Sequence, residues 1–138
     1  MKRNQQDITR GVLLIITVLV LLSGCRSAPV YNPKGISISP RPSASKKEIA
    51  EAIWSAGRRD GWQIEKVGEW KLKAVKRIRN HSATISIHYS KNTLDISYVD
   101  SDNLDFDGQN IHENYNVWIH RLTEKIQNEM RFRLPEHR

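Results

Sequence analysis

From Ser82 to Tyr98 the chain alternates apolar and polar residues with few breaks, and this two-residue period constrains the fold more than any other feature. Ala83, Ile85, Ile87 and Tyr89 stand against Ser82, Thr84, Ser86 and His88, and Leu94, Ile96 and Tyr98 stand against Asp95, Ser97 and Val99. Successive side chains of a strand point to opposite faces, so the pattern fits strands buried on one face and wet on the other. Upstream, Trp70, Leu72, Ala74 and Ile78 extend the apolar set, with Lys76 interrupting it and Lys71, Lys73, Val75, Arg77 and Arg79 opposite. Trp62 to Glu65 begins a further short run, and Asn80-His81 and Ser90-Lys91-Asn92 read as hairpin turns. Three to four antiparallel strands with one apolar face need a covering layer.

Two helical patterns supply it. Ser45-Lys46-Lys47-Glu48 has the S-x-x-E form of a capping box, in which the serine oxygen and the glutamate each take an unpaired backbone donor. Ile49, Ala52, Ile53 and Ala56 then recur at helical spacing, and Gly57 to Gly61 should end the element, with Arg58, Arg59 and Asp60 in the turn. After a polar stretch from Asp100 to Asn110, Tyr115, Trp118, Ile119, Leu122, Ile126 and Met130 form a longer stripe that should stop before Pro135. The expectation is a two-layer α+β domain, residues 46–134, in the order α-β-β-β-β-α with both helices on one sheet face.

The N-terminus is of another kind. Lys2, Arg3 and Arg10 precede an apolar run from Val12 to Leu22, which closes in Ser23-Gly24-Cys25. These are the zones of a secretory signal, and the run is too short to span a bilayer core of about 30 Å. Its end resembles the bacterial lipobox, which implies cleavage after residue 24, lipid attachment to Cys25 and anchoring in a membrane. Arg26 stands where the accompanying sorting rule uses Asp to retain lipoproteins in the inner membrane, so the outer membrane, facing the periplasm, is the expected location. Cys25 is the single cysteine of the 138 residues, so the domain has neither disulfide nor thiol nucleophile. Pro29, Pro33, Pro40 and Pro42, interleaved with Ser27, Ser37, Ser39, Ser43 and Ser45, read as a tether over residues 25–45. A short strand at Gly35-Ile36-Ser37-Ile38 is the competing reading.

The chain carries a net charge of +7, which falls to +5 once the signal removes three basic residues and Asp7. Eleven basic and five acidic residues lie within 46–91, whereas 92–113 holds six acidic residues and no basic one. Lys71, Lys73, Arg77 and Arg79 are therefore candidate ligands for an anionic envelope glycan or lipid, the alternative being a solvated face balanced by the acidic segment. Nucleic acid is not expected, because the basic row lacks interleaved stacking aromatics. Asp100, Asp102, Asp105 and Asp107 resemble a calcium loop only loosely: Leu104 stands at a ligand position and the turning glycine is missing. A turn bonding its own backbone is the alternative.

Catalytic patterns do not emerge. His112-Glu113 is followed by Asn116 where a zinc-protease helix needs histidine, and His81, His88 and His120 add no ligand set. No G-x-S-x-G, phosphate-binding or dinucleotide-binding loop is present. Neither an enzyme nor a cofactor or metal is expected.

Tyr98, Asp100, Ser101, Asn103 and Leu104 lead to Asp107-Gly108, then to Ile111-His112 and Asn114-Tyr115-Asn116 with Trp118-Ile119. In these motifs the chain resembles a group of small Gram-negative lipoproteins whose pattern is Tyr-x-Asp-Ser-x-Asn-Leu, Asp-Gly, then Ile-His-x-Asn-Tyr-Asn-x-Trp-Ile. The resemblance covers roughly Trp54 to Leu122 and implies an envelope location and one α+β domain, with no activity attached. Asn103, His112, Asn114, Tyr115 and Asn116 are either a structural lock across the strand-to-helix crossing or a surface for a partner. The sequence thus leads to a lipid-anchored, non-catalytic binding module with an envelope protein as its expected partner.

Overall fold

The computed structural model describes residues 26–38, 40 and 42–134; the signal segment and Cys25 lie outside them. Nine elements follow in order: β1 Ser27–Pro29, β2 Ile36–Ser37, α1 Lys46–Arg59, β3 Trp62–Gly68, β4 Lys71–Ile78, β5 His81–Tyr89, β6 Thr93–Asp102, β7 Asn110–His112 and α2 Glu113–Arg133. Strands β2-β6-β5-β4-β3 form an antiparallel sheet, and β1 pairs with β7 in a separate ribbon. The architecture is the two-layer α+β fold, with five strands in the main sheet.

The two periods account for the layers. In register, Leu72, Ile87 and Ile96 form one row across the sheet, and Ala74, Ile85 and Tyr98 the next. All but Tyr98, which is half-buried, are buried against Ile49, Ala52, Ile53 and Ala56 of α1 and Trp118, Ile119, Leu122, Ile126 and Met130 of α2. The capping box forms: Ser45 Oγ accepts the Glu48 N–H at 3.2 Å and Glu48 Oε2 accepts the Ser45 N–H at 2.9 Å. Opposite Thr84–Ile85, β6 bulges at Val99, which is exposed.

Four expectations are corrected. Helix α1 runs through Gly57 to Arg59; Gly57 is buried, and a Cβ there would lie 2.3 Å from Ile64 Cδ1, so glycine admits β3 against the helix. The turn is instead made at Gly61, with φ +81°. Between β4 and β5 the hairpin turns on Arg79-Asn80, Arg79 being left-handed at φ 56°, and His81 already belongs to β5. Ile78, at the sheet's end, is 40% exposed rather than inward.

The largest correction concerns the tether. Residues 26–38 are paired and packed: β1 and β2 are strands, the Ile96 N–H donates to Pro33 O at 2.9 Å and the Ile38 N–H to Asn92 O at 3.0 Å. Ile38 is 2% exposed, and Pro33 and Pro40 are buried too. The competing strand reading was the sound one for Ile36–Ser37. Prolines suit this path because an edge or loop position need not donate its N–H to a ladder.

Candidate functional site

The sheet face away from the helices carries the basic row. Lys71, Lys73 and Arg77 alternate along β4 and are exposed. Their neighbours in register are His88, Ser86 and Ser82 on β5, then Asp95, Ser97 and Asp102 on β6. Lys73 pairs with Glu65 at 3.2 Å, and Arg79 lies in the turn rather than in the row. Asp102 stands two strands from Arg77, roughly 10 Å, where salt screens most of the attraction. The face therefore carries both signs with a Ser/Thr strip between them.

The motif residues split. Asn116 clamps the N-terminal segment: its Oδ1 accepts the Tyr31 N–H and its Nδ2 donates to Pro29 O, both at 2.9 Å. His112 caps α2, Nδ1 accepting the Asn114 N–H at 3.2 Å. Asn103, left-handed at φ 53°, donates to Asn80 O at 2.7 Å, and its carbonyl meets His81 Nδ1 at 2.6 Å. Tyr115 is wholly buried, edge-on to Tyr98 at 5.6 Å, and burial, with Tyr98 beside it, pushes its hydroxyl pKa above the usual value. Asn114 contributes only its backbone to this set and is exposed. Four of the five therefore make side-chain contacts within the fold, the arrangement a lock requires. Asn116→Ala should cost about 2 kcal/mol by leaving two backbone groups unpaired, whereas Asn114→Ala should stay within about 0.5 kcal/mol. Urea unfolding of the two variants separates them, and equal midpoints would remove the lock.

The acidic loop bonds to itself. Asp107 Oδ1 accepts the Gln109 and Asn110 N–H groups at 2.9 and 2.7 Å, and Oδ2 accepts Asn110 Nδ2 at 3.1 Å. These donors, the Asn110 N–H foremost, hold the Asp107 carboxyl below its usual pKa. Among the described residues no three His, Asp or Glu side chains converge on one point.

A groove that sequence reasoning missed opens between α1 and the β3–β4 hairpin. It encloses about 400 Å³ and is lined by Ala50, Trp54, Leu72 and Tyr89, with Lys46, Lys47, Lys66 and Glu51 around it. Register explains the assembly: Lys66 stands opposite Leu72 on the helix-facing side of the sheet, while Lys46 and Lys47 open α1. Trp54 is 41% exposed yet held, its indole N–H donating to Ile64 O at 3.1 Å and Arg58 lying 4.5 Å from its ring centre. Lys46 pairs with Glu69 at 2.5 Å and lies over Trp70, and Lys47 reaches Glu51 at 3.8 Å. Lys66 makes no ion pair among the described residues. The one visible signal was Lys46-Lys47 about two turns ahead of Trp54, which reads locally as an ordinary amphipathic helix. A volume of this size, an apolar floor and a fixed exposed tryptophan suit a docked side chain.

Comparison of the chain with protein-family models, with curated proteins and with solved structures returns no match.

Proposed function

We propose that this is a lipid-anchored envelope protein, held at the outer membrane through Cys25, whose domain binds another envelope protein without doing chemistry. The observation that carries the binding reading is the groove over Trp54, Ala50, Leu72 and Tyr89. Its rim is close to balanced, Lys46 and Lys47 being matched by Glu69 and Glu51, so a bare phosphate or sugar acid finds little excess charge there. An apolar side chain next to one carboxylate fits better: the first fills the floor and the second meets Lys66. The lipobox-like end of the signal and the resemblance to small Gram-negative lipoproteins support the location.

A photo-reactive residue in place of Glu51, in the lipidated protein in intact cells, tests the reading. One envelope protein should be captured reproducibly. Trp54→Ala should reduce capture more than tenfold, an aromatic anchor being worth about 2 kcal/mol or more, and Lys66→Glu several-fold. Capture indifferent to both substitutions would sink the groove. A second reading, a receptor for an anionic glycan or lipid through Lys71, Lys73, Arg77 and Arg79, is favoured because Lys71, Arg77 and Arg79 make no ion pair among the described residues. Capture of lipopolysaccharide or wall fragments by a probe at Arg77 would promote it.

A further inference from the structure

The path of the chain into the domain bears on how the protein meets its membrane. Arg26 is already fastened: its carbonyl accepts the Glu113 N–H at 2.8 Å and its guanidinium donates to Glu113 Oε1 at 3.1 Å. Ser27, Ala28 and Pro29 pair with His112, Ile111 and Asn110, and the Val30 N–H donates to Gln109 O at 3.0 Å. Asn116 then grips Pro29 and Tyr31, and the Tyr31 ring stacks on His120 at 4.1 Å. Nothing between Arg26 and Tyr31 is left to act as a spacer. One residue reaches at most about 3.6 Å, whereas a flexible twenty-residue tether reaches roughly 25 Å.

We infer that the lipidated protein has no free tether, and that its domain is seated directly on the bilayer surface by the end built from β1, β7, the 103–109 loop and the first turn of α2. The inference rests on lipid attachment at Cys25 as proposed above. Acyl chains on that residue enter the bilayer beside Arg26 and Glu113, so this end faces the lipid. Two exposed apolar side chains belong to it: Phe106 in the loop, packed on Tyr98, and Val117, one helical turn beyond Glu113 on the same side of α2. Asp102, Asp105, Asp107 and Glu113 outnumber Arg26 and Arg79 there, so anionic headgroups do not attract it. The covalent anchor, rather than surface charge, sets the contact, and the domain lacking it should not bind vesicles.

The same geometry fixes what points outward. Helix α1 starts beside the groove at Lys46 and reaches Asp60, next to Lys76 near the far end of β4; fourteen residues of helix span about 21 Å. The Ser90–Asn92 turn follows Tyr89, which lines the groove. The groove, lined by α1 from Lys46 to Trp54, therefore lies toward the end of the sheet opposite the seated one, and its occupant approaches from the aqueous side.

The test places a fluorophore on an introduced cysteine, Asn114→Cys at the seated end or Lys91→Cys at the groove end, in the purified lipidated protein. Vesicles of phosphatidylethanolamine and phosphatidylglycerol carry a headgroup quencher. Quenching should be at least fivefold stronger at position 114 than at 91. Twenty Gly/Ser residues inserted between Cys25 and Arg26 should bring the two close together. Equal, weak quenching at both sites of a protein whose mass shows the lipid would overturn the direct seat while leaving the anchor intact. A mass without lipid on Cys25 would overturn both.

Discussion

Asp60→Ala should remove about 3–5 kcal/mol of folding stability, a large share of the roughly 5–15 kcal/mol that holds a small domain together. Lys76 is 3% exposed near the end of β4, and its Nζ donates to Asp60 O at 2.6 Å and Asp60 Oδ2 at 2.9 Å. Trp62 Nε1 donates to the same Oδ2 at 3.2 Å, Lys125 reaches Oδ1 at 3.1 Å, and the Lys76 ammonium lies over the Trp62 and Trp118 rings at 5.5 and 5.8 Å. Removing the carboxylate leaves a buried ammonium with one carbonyl and two ring faces. Asp60 is also the C-cap of α1, where the helix dipole disfavours a negative charge, so the two lysines are what make a carboxylate tenable there. Asp60→Asn combined with Lys76→Met, which removes both charges at similar volume, should recover most of the loss. Chemical denaturation followed by circular dichroism measures all three proteins, and an Asp60→Ala variant as stable as the parent would show that the pair contributes nothing. The pH dependence has a definite sign. Burial is the largest single influence and raises the Asp60 pKa, but the hydrogen bonds and charges of Lys76 and Lys125 together outweigh it, leaving the carboxyl below its ordinary 3.8. A depressed carboxylate contributes fully above that ordinary value, and the contribution is lost as pH falls through the folded pKa, below 3.8.

This network was half legible. The alternation put Lys76 on the inner face, but its partner stands sixteen residues earlier in what reads as a helix-ending turn, and only the fold joins them. Features written in a short period were legible: the capping box, the α2 stripe and the inward row of β5 follow from 3.6- and 2-residue spacing within one element. The parity of Lys71, Lys73 and Arg77 could be read as well, though neither the Glu65 partner of Lys73 nor the left-handed Arg79 could. The groove was hidden because Lys66 and Leu72 belong to different strands and Trp54 to a helix. The N-terminal segment misled for the same reason. Proline and serine content describes the segment's own freedom, whereas its partners, Asn92, Ile96, Asn110 and Asn116, lie more than fifty residues away.

A chain that starts at Ser45, the last residue of the segment whose composition reads as a tether, should fail to fold cooperatively, while one starting at Arg26 should show a single unfolding transition. The shorter chain keeps both helices and β3 to β7 but loses Ile38, and deleting a buried isoleucine side chain alone costs about 2–5 kcal/mol. It also loses the Pro33 and Ser37 carbonyls that serve Ile96 and Gln127, and strips Asn116 of both its partners. Together these losses match the whole stability of a marginal domain. Removing β2 further leaves β6 as an open edge beside Leu94 and Ile96, which invites pairing between copies. Thermal melting and size-exclusion chromatography of the two chains decide the matter: a Ser45 chain that melts sharply as a monomer would return the segment to a tether and remove the ground for a direct seat on the membrane. The expected collapse carries a further consequence. The described residues close the fold from Arg26 onward, so an insertion that lengthens the lipid connection proposed at Cys25 without harming the domain has one place to go, between Cys25 and Arg26. The same material placed after Pro29 would part the Asn116 clamp and should cost stability as well as reach.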